Sequence, residues 1–297
     1  MGQMLRTPDQ RFDDLPGYAF RARYVDGLAG CGDGRIHYLD EGPAQAERVY
    51  LCLHGQPTWS YLYRRMIPVF AAAGHRVVAP DLLGFGRSDK PAEEEAYSFT
   101  RHREMLLSLV ERLALRDIVL VVQDWGGLLG LTLPMEDPVR YAGLLVMNTA
   151  FATGDRPLAR GFLDWLDYSN RHPDLAVGKL LSRACPHLSA AEAAAYDAPF
   201  PDATCKAGVR RFPNLVPDRP DADGAAVSRR ARDWFRTRWQ GQTFMAVGMR
   251  DPVLGPPVMA DVASNIRNCP PPLEVPDGGH FLPEWGETVA AAALEAR

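Results

Sequence analysis

The chain has 297 residues, 46% of them hydrophobic, and a formal net charge of −4 with both signs spread along it. That composition supports a large packed core and excludes a disordered chain, and without a block of basic charge nucleic acid is not an expected partner. No apolar run approaches the roughly 18 residues of a membrane span, and the opening Met1-Gly-Gln-Met-Leu-Arg-Thr-Pro8 lacks the apolar centre of a secretion signal. The five cysteines (Cys31, Cys52, Cys185, Cys205, Cys269) stand far apart with no CxxC pair. They read as reduced thiols, and the expectation is a soluble cytoplasmic protein without a membrane partner.

Residues 1–30 carry few periodic signals, broken by Pro8 and Pro16. Strand-like runs follow at 35–39 and 49–53, separated by the turn-rich Asp40-Glu-Gly-Pro-Ala44, and are expected to pair as neighbours. A helix is expected over 59–73, closed by Gly74, then a buried strand over 75–80. In the next loop Gly84-x-Gly86 has the look of a nucleotide motif, but the third glycine is missing and no helix opens there, so it reads as a tight loop. Residues 99–115 place Met105, Leu106, Leu109, Val110 and Leu113 on one helical face.

The stretch Asp117–Leu133 then reads strand, sharp turn, helix around Gln123-Asp-Trp-Gly-Gly127, with the helix expected to run on to Asp137-Pro138. Its turn has the form of a nucleophile elbow, which presents one side chain at the carboxyl edge of a sheet. Serine is usual there. Asp124 instead suggests displacement at a saturated carbon, because a carboxylate can attack without a base. A strand at 144–147 ends at Asn148, and from 150 to 224 no strand is evident; helical patches at 157–168, 175–184 and 190–196 suggest an inserted cap. Alternation resumes with a helix at 225–238, a strand at 243–247, a helix at 257–266, a strand at 273–275 and a helix at 284–296. The expected domains are a core of 1–149 and 225–297 and a helical cap of 150–224. The fold class is α/β, a mostly parallel central sheet with helices on both faces.

In such sheets the site lies at the carboxyl ends of the strands. Asp124, Asp251 and His280 each follow a strand, in the order nucleophile, acid, base of α/β hydrolases. His280 lies behind two glycines that allow close approach. Asn148 cannot serve as the acid, which leaves Asp251. No HExxH motif or clustered His/Cys set is present, and neither a metal nor an organic cofactor is expected.

His54-Gly-Gln-Pro-Thr-Trp-Ser-Tyr-Leu-Tyr63, Pro80-Asp-Leu-Leu-Gly-Phe-Gly-Arg-Ser-Asp-Lys-Pro91, Val121-Val-Gln-Asp-Trp-Gly-Gly127, Gly248-Met-Arg-Asp251 and the opening Arg6-Thr-Pro-Asp-Gln-Arg-Phe12 resemble haloalkane dehalogenases of the α/β-hydrolase superfamily. The similarity is to the subfamily whose acid follows the later strand, and it is loosest over 150–184. It implies hydrolytic dehalogenation of short haloalkanes to a primary alcohol and halide through an alkyl ester on Asp124, with haloalkane, water and halide as the only partners. It implies Asp124 as nucleophile, His280 as base and Asp251 as acid. It further implies halide binding by the indoles of Trp125 and Trp165, and oxyanion donation by the backbone N–H groups of Gln56 and Trp125. Relatives often carry Glu or Asn at the position of Gln56, a difference that leaves the backbone donor intact. Leu128, Phe162, Val253 and Leu254 stand beside these residues as pocket candidates. A monomer is expected, since no apolar interface stripe is evident.

The closest alternative is an epoxide hydrolase, which would use the cap tyrosines Tyr168 and Tyr196 to protonate its substrate. A non-catalytic binding protein on the same scaffold would normally lack a member of the triad, and a serine esterase would need a serine at the elbow.

Overall fold

The protein is described by a computed structural model over residues 2–296. The described residues form ten strands and ten α-helices. The strands are β1 (Met4–Leu5), β2 (Arg23–Val25), β3 (Ile36–Glu41), β4 (Val49–Leu53), β5 (Arg76–Pro80), β6 (Lys90–Pro91), β7 (Ile118–Gln123), β8 (Tyr141–Met147), β9 (Gln242–Gly248) and β10 (Leu273–Val275). The helices are α1 (Ile67–Ala72), α2 (Phe99–Arg112), α3 (Trp125–Gly130), α4 (Arg160–Arg171), α5 (Val177–Ala184), α6 (Ala190–Ala195), α7 (Ala207–Arg211), α8 (Ala225–Arg238), α9 (Pro256–Ser264) and α10 (Gly286–Glu295).

Eight strands form one sheet in the order β10-β9-β8-β7-β4-β5-β3-β2. From β10 to β5 every pairing is parallel; β3 and β2 are added antiparallel. Every residue of β4 and β7 is buried. Successive side chains of a strand point to opposite faces, so both faces of the sheet centre are covered.

Three expectations need correction. The runs at 35–39 and 49–53 are not neighbours, because β5 lies between them, parallel to β4 and antiparallel to β3. The crossover through α1 brings β5 back beside β4 in the same direction, and β3 is left with the outer edge of β5. The helix expected over 59–73 is broken into a 3₁₀ turn at Ser60–Tyr63 and α1. Pro68 sits in the first turn of α1, where its missing N–H costs nothing, but it could not continue a helix from upstream. Finally, α3 stops at Gly130 rather than at Asp137-Pro138. Pro134 has no N–H to give the Gly130 carbonyl, so the ladder ends there.

Between β8 and β9 the chain is helical only, through α4 to α8, with 3₁₀ turns at Ala203–Lys206 and Phe212–Leu215 that carry no periodic signal in the sequence. Among the described residues no helix is long and apolar enough to cross a membrane, and all five cysteines are unpaired.

Candidate active site

Five strand ends converge. Gln56 follows β4, Asp124 follows β7, Asn148 follows β8, Asp251 follows β9 and His280 follows β10. Asp124 occupies φ 50°, ψ −126°, a conformation that a residue with a β-carbon holds only when its surroundings impose it. Those surroundings are visible. The Asp124 N–H donates to the Asn148 carbonyl at 2.9 Å. Its own carbonyl accepts from the N–H groups of Gly127 and Leu128 and from the Thr149 hydroxyl. A Cβ at Gly126 would collide with the carbonyl oxygen of Leu53, and one at Gly55 with the Asp124 carboxylate. The glycines of the elbow are there because two backbones and a side chain pass within contact distance.

Asp124 presents its two oxygens differently. Oδ1 accepts the Gln56 backbone N–H at 2.8 Å, and Oδ2 lies 3.6 Å from Nε2 of His280. The other imidazole nitrogen, Nδ1, is 3.0 Å from Oδ2 of Asp251. Asp251 is buried, and its Oδ1 accepts from the N–H groups of Val253 and Leu254 at 2.7 and 3.1 Å. Asn148, excluded as an acid, has a place here: its Nδ2 donates to Oδ2 of Asp251 at 2.8 Å, and its Oδ1 accepts the Gly248 N–H at 2.9 Å. Burial alone would raise the Asp251 carboxyl, but the His280 ring and the two backbone donors hold it below the usual carboxylate range. Burial likewise works against the His280 imidazolium. The charge and hydrogen bond of Asp251, with those of Asp124, outweigh it and push His280 up to about 10.

That shift has a consequence for stability. The folded protein holds a proton on His280 that the unfolded chain, with a histidine pKa of about 6.5, releases. The stabilisation is complete below about pH 6.5 and is lost as pH rises toward about 10. Urea midpoints at pH 7 and 9.5 should therefore fall further in the native protein than in His280→Gln. Parallel falls in the two would contradict the shift.

A cavity of about 730 Å³ opens over Asp124. Trp125, Trp165, Leu128, Phe162, Val253 and Leu254 all line it, with Gln56 and His280. The Trp125 ring is held by Phe99 and by Phe212, whose centroid is 4.7 Å away. Trp165 stacks on Tyr168 along α4. Sequence reasoning missed Phe151, Leu180, Pro213, Val216 and Phe281, which also face the cavity. Phe281 adjoins His280 and could have been named on that ground. Pro213 and Val216 lie in and after the Phe212–Leu215 turn, where no pattern marks them.

The tyrosines of the epoxide alternative do not line the cavity. The Tyr196 hydroxyl donates to the Glu284 carboxylate and is fully buried, and Tyr168 is stacked between Trp165 and His172. The Gln56 side chain donates to the Val209 carbonyl in α7 at 2.8 Å, a bond that a glutamate could not make in its ionised form.

This strand order, with a strained turn closing β7, defines an α/β hydrolase. The family model described as alpha/beta hydrolase fold matches residues 49–287. The chain is 45% identical to a haloalkane dehalogenase of Psychrobacter cryohalolentis, covering 99% of this chain and 97% of that one. It is 48% identical to haloalkane dehalogenase 1 of Mycobacterium tuberculosis, covering 85% and 84%. It superposes with a TM-score of 0.97 on the haloalkane dehalogenase DpaA of Paraglaciecola agarilytica, described as tetrameric, at 47% identity and 99% coverage of each chain. The chain belongs to the haloalkane dehalogenase family and is a hydrolase acting on carbon–halide bonds.

Proposed function

We propose that the chain converts short haloalkanes to a primary alcohol and halide through an alkyl ester on Asp124, with residues 150–224 forming a cap over a core of 1–149 and 225–297. The observation that carries this reading is the pair of indoles, Trp125 and Trp165, on the wall of a largely apolar cavity that has a carboxylate at its base. No protein acceptor takes either indole N–H among the described residues. The carbon–halogen bond breaks as Oδ2 of Asp124 attacks carbon and the electron pair leaves with the halide. The two N–H groups meet the growing charge from the wall of the largely apolar cavity.

Alkylation removes the negative charge of Asp124, which is one of the two that hold the proton on His280. The imidazole then gives up its proton and accepts one from water, and the hydroxide adds to the ester carbonyl. Charge develops on Oδ1, where the Gln56 N–H already points and the Trp125 N–H is the second proposed donor. Collapse releases the alcohol, reprotonated from His280, and restores the carboxylate. Asp251 keeps the ring in the tautomer this requires. Leu128, Phe162, Val253 and Leu254 give the alkyl chain its apolar surroundings.

Trp165→Phe tests the halide role. Bromide quenching of tryptophan fluorescence should weaken, and kcat for a short bromoalkane should fall on the order of 10²-fold, the usual effect of losing one such donor. Undiminished bromide affinity and turnover would place the second donor elsewhere.

A further inference from the structure

Gln123 is fully buried and is the residue immediately before Asp124. Its side chain crosses from the end of β7 to the loop after β10, where Nε2 donates to the backbone carbonyl of His280 at 2.9 Å. The amide orientation follows from that contact, since only the NH₂ end can face a carbonyl oxygen. Oδ2 of Asp124 and Nε2 of His280 are 3.6 Å apart, yet the two residues belong to strands separated in the sheet by β8 and β9. Asp251 fixes the rotation of the imidazole through Nδ1. It does not fix how far the His280 backbone stands from the nucleophile.

We propose that Gln123 is a positioning residue for the second half of the reaction: it ties the backbone of the base to the strand that carries the nucleophile. The amide leaves its Oε1 without a partner in the protein interior. Burying a polar atom unpaired is unfavourable, and an apolar side chain of the same shape would avoid it. An amide therefore gains its place through the one bond it makes. Attack on carbon by Asp124 does not use His280, whereas hydrolysis of the ester does. Loss of the tether therefore acts on the second step alone. A displacement of about 1 Å at a reacting group can cost roughly a hundredfold, and a loss between tenfold and a hundredfold in ester hydrolysis is the expected size.

The proposal rests on the reading of His280 as the base, and the experiment separates the two. Rapid-quench kinetics with a bromoalkane would be run on the native protein, His280→Phe, Gln123→Met and Gln123→Glu, with melting midpoints for each. Gln123→Met keeps the shape and removes the donor. It should keep its alkylation burst and midpoint while hydrolysis slows, so that alkylated Asp124 accumulates and kcat and KM fall together. Gln123→Glu guards against a misfolded first variant. Its protonated carboxyl can still donate to the His280 carbonyl and its ionised form cannot, so its hydrolysis rate relative to the native protein should fall as pH rises. Equal losses in both steps with a lowered midpoint would mean a purely structural glutamine, and unchanged hydrolysis in both variants would mean none is needed. Either overturns the proposal. Continued ester hydrolysis in His280→Phe would instead overturn the assignment of the base.

Discussion

His280→Phe should stop turnover after a single event per chain. The ring is 3.6 Å from Asp124 and 3.0 Å from Asp251, and phenylalanine fills the space without a nitrogen to take a proton. In the proposed reaction, carbon–halogen cleavage needs only the carboxylate and the two indole donors, so one equivalent of halide should appear in a burst. Steady-state turnover should then fall on the order of 10⁴-fold, the scale seen when a catalytic triad loses a member. Mass spectrometry of the peptide carrying Asp124 should show the added alkyl group. Sustained halide release, or an unmodified Asp124 after the burst, would show that water reaches the ester by another route. The native enzyme should display a milder form of the same behaviour at low pH. There His280 stays protonated even after alkylation and ester accumulates, since only the neutral ring can act as base.

Arg64→Met should lower the melting midpoint by about 6–15 °C, from a loss of about 3–5 kcal/mol for an orphaned buried charge and roughly 2–3 °C per kcal/mol in a chain of this size. Arg64 is 3% exposed and Glu284 is 2% exposed. The guanidinium meets both oxygens of Glu284, at 2.6 and 2.9 Å, and reaches Glu192 at 3.0 Å. Arg65 and the Tyr196 hydroxyl complete the set around Glu284. Glu192 and Tyr196 come from the segment between β8 and β9, while Glu284 lies four residues beyond His280. The cluster therefore joins the α6 region to the loop of the proposed base. Adding Glu284→Gln to Arg64→Met should recover part of the loss, because a neutral amide leaves less charge without its partner. A midpoint within a degree of the native value would show that Arg65 alone satisfies the carboxylates.

These two predictions differ in how far the sequence could have led to them. His280 was legible. It follows a strand and two glycines, and parallel sheets gather such residues at one edge. Asp124 and Asp251 were reached the same way, and the structure places one on each side of the His280 ring. The Arg64–Glu284 pair was not legible, since its members are 220 positions apart, in two separately expected helices whose docking no local pattern marks. The same holds for Asn148 with Asp251 and for the Gln56 amide with Val209. Hydrogen bonds between distant side chains depend on how elements dock, and docking is not written in local spacing. The place of β5 between β4 and β3 escaped for a related reason. A turn-rich linker suggests a hairpin, but a parallel crossover elsewhere in the sheet can claim the neighbouring edge first.

The backbone at Asp124 has one more implication. Its φ of 50° and ψ of −126° suit glycine far better than any residue with a β-carbon. The local conformation thus favours a residue that cannot do the chemistry. Random change scored on thermal resistance alone has a downhill path at this position toward glycine, and with it toward an inert protein. Screens for hardier variants of this enzyme should be coupled to halide release at every round, because durability and activity are opposed at the proposed nucleophile.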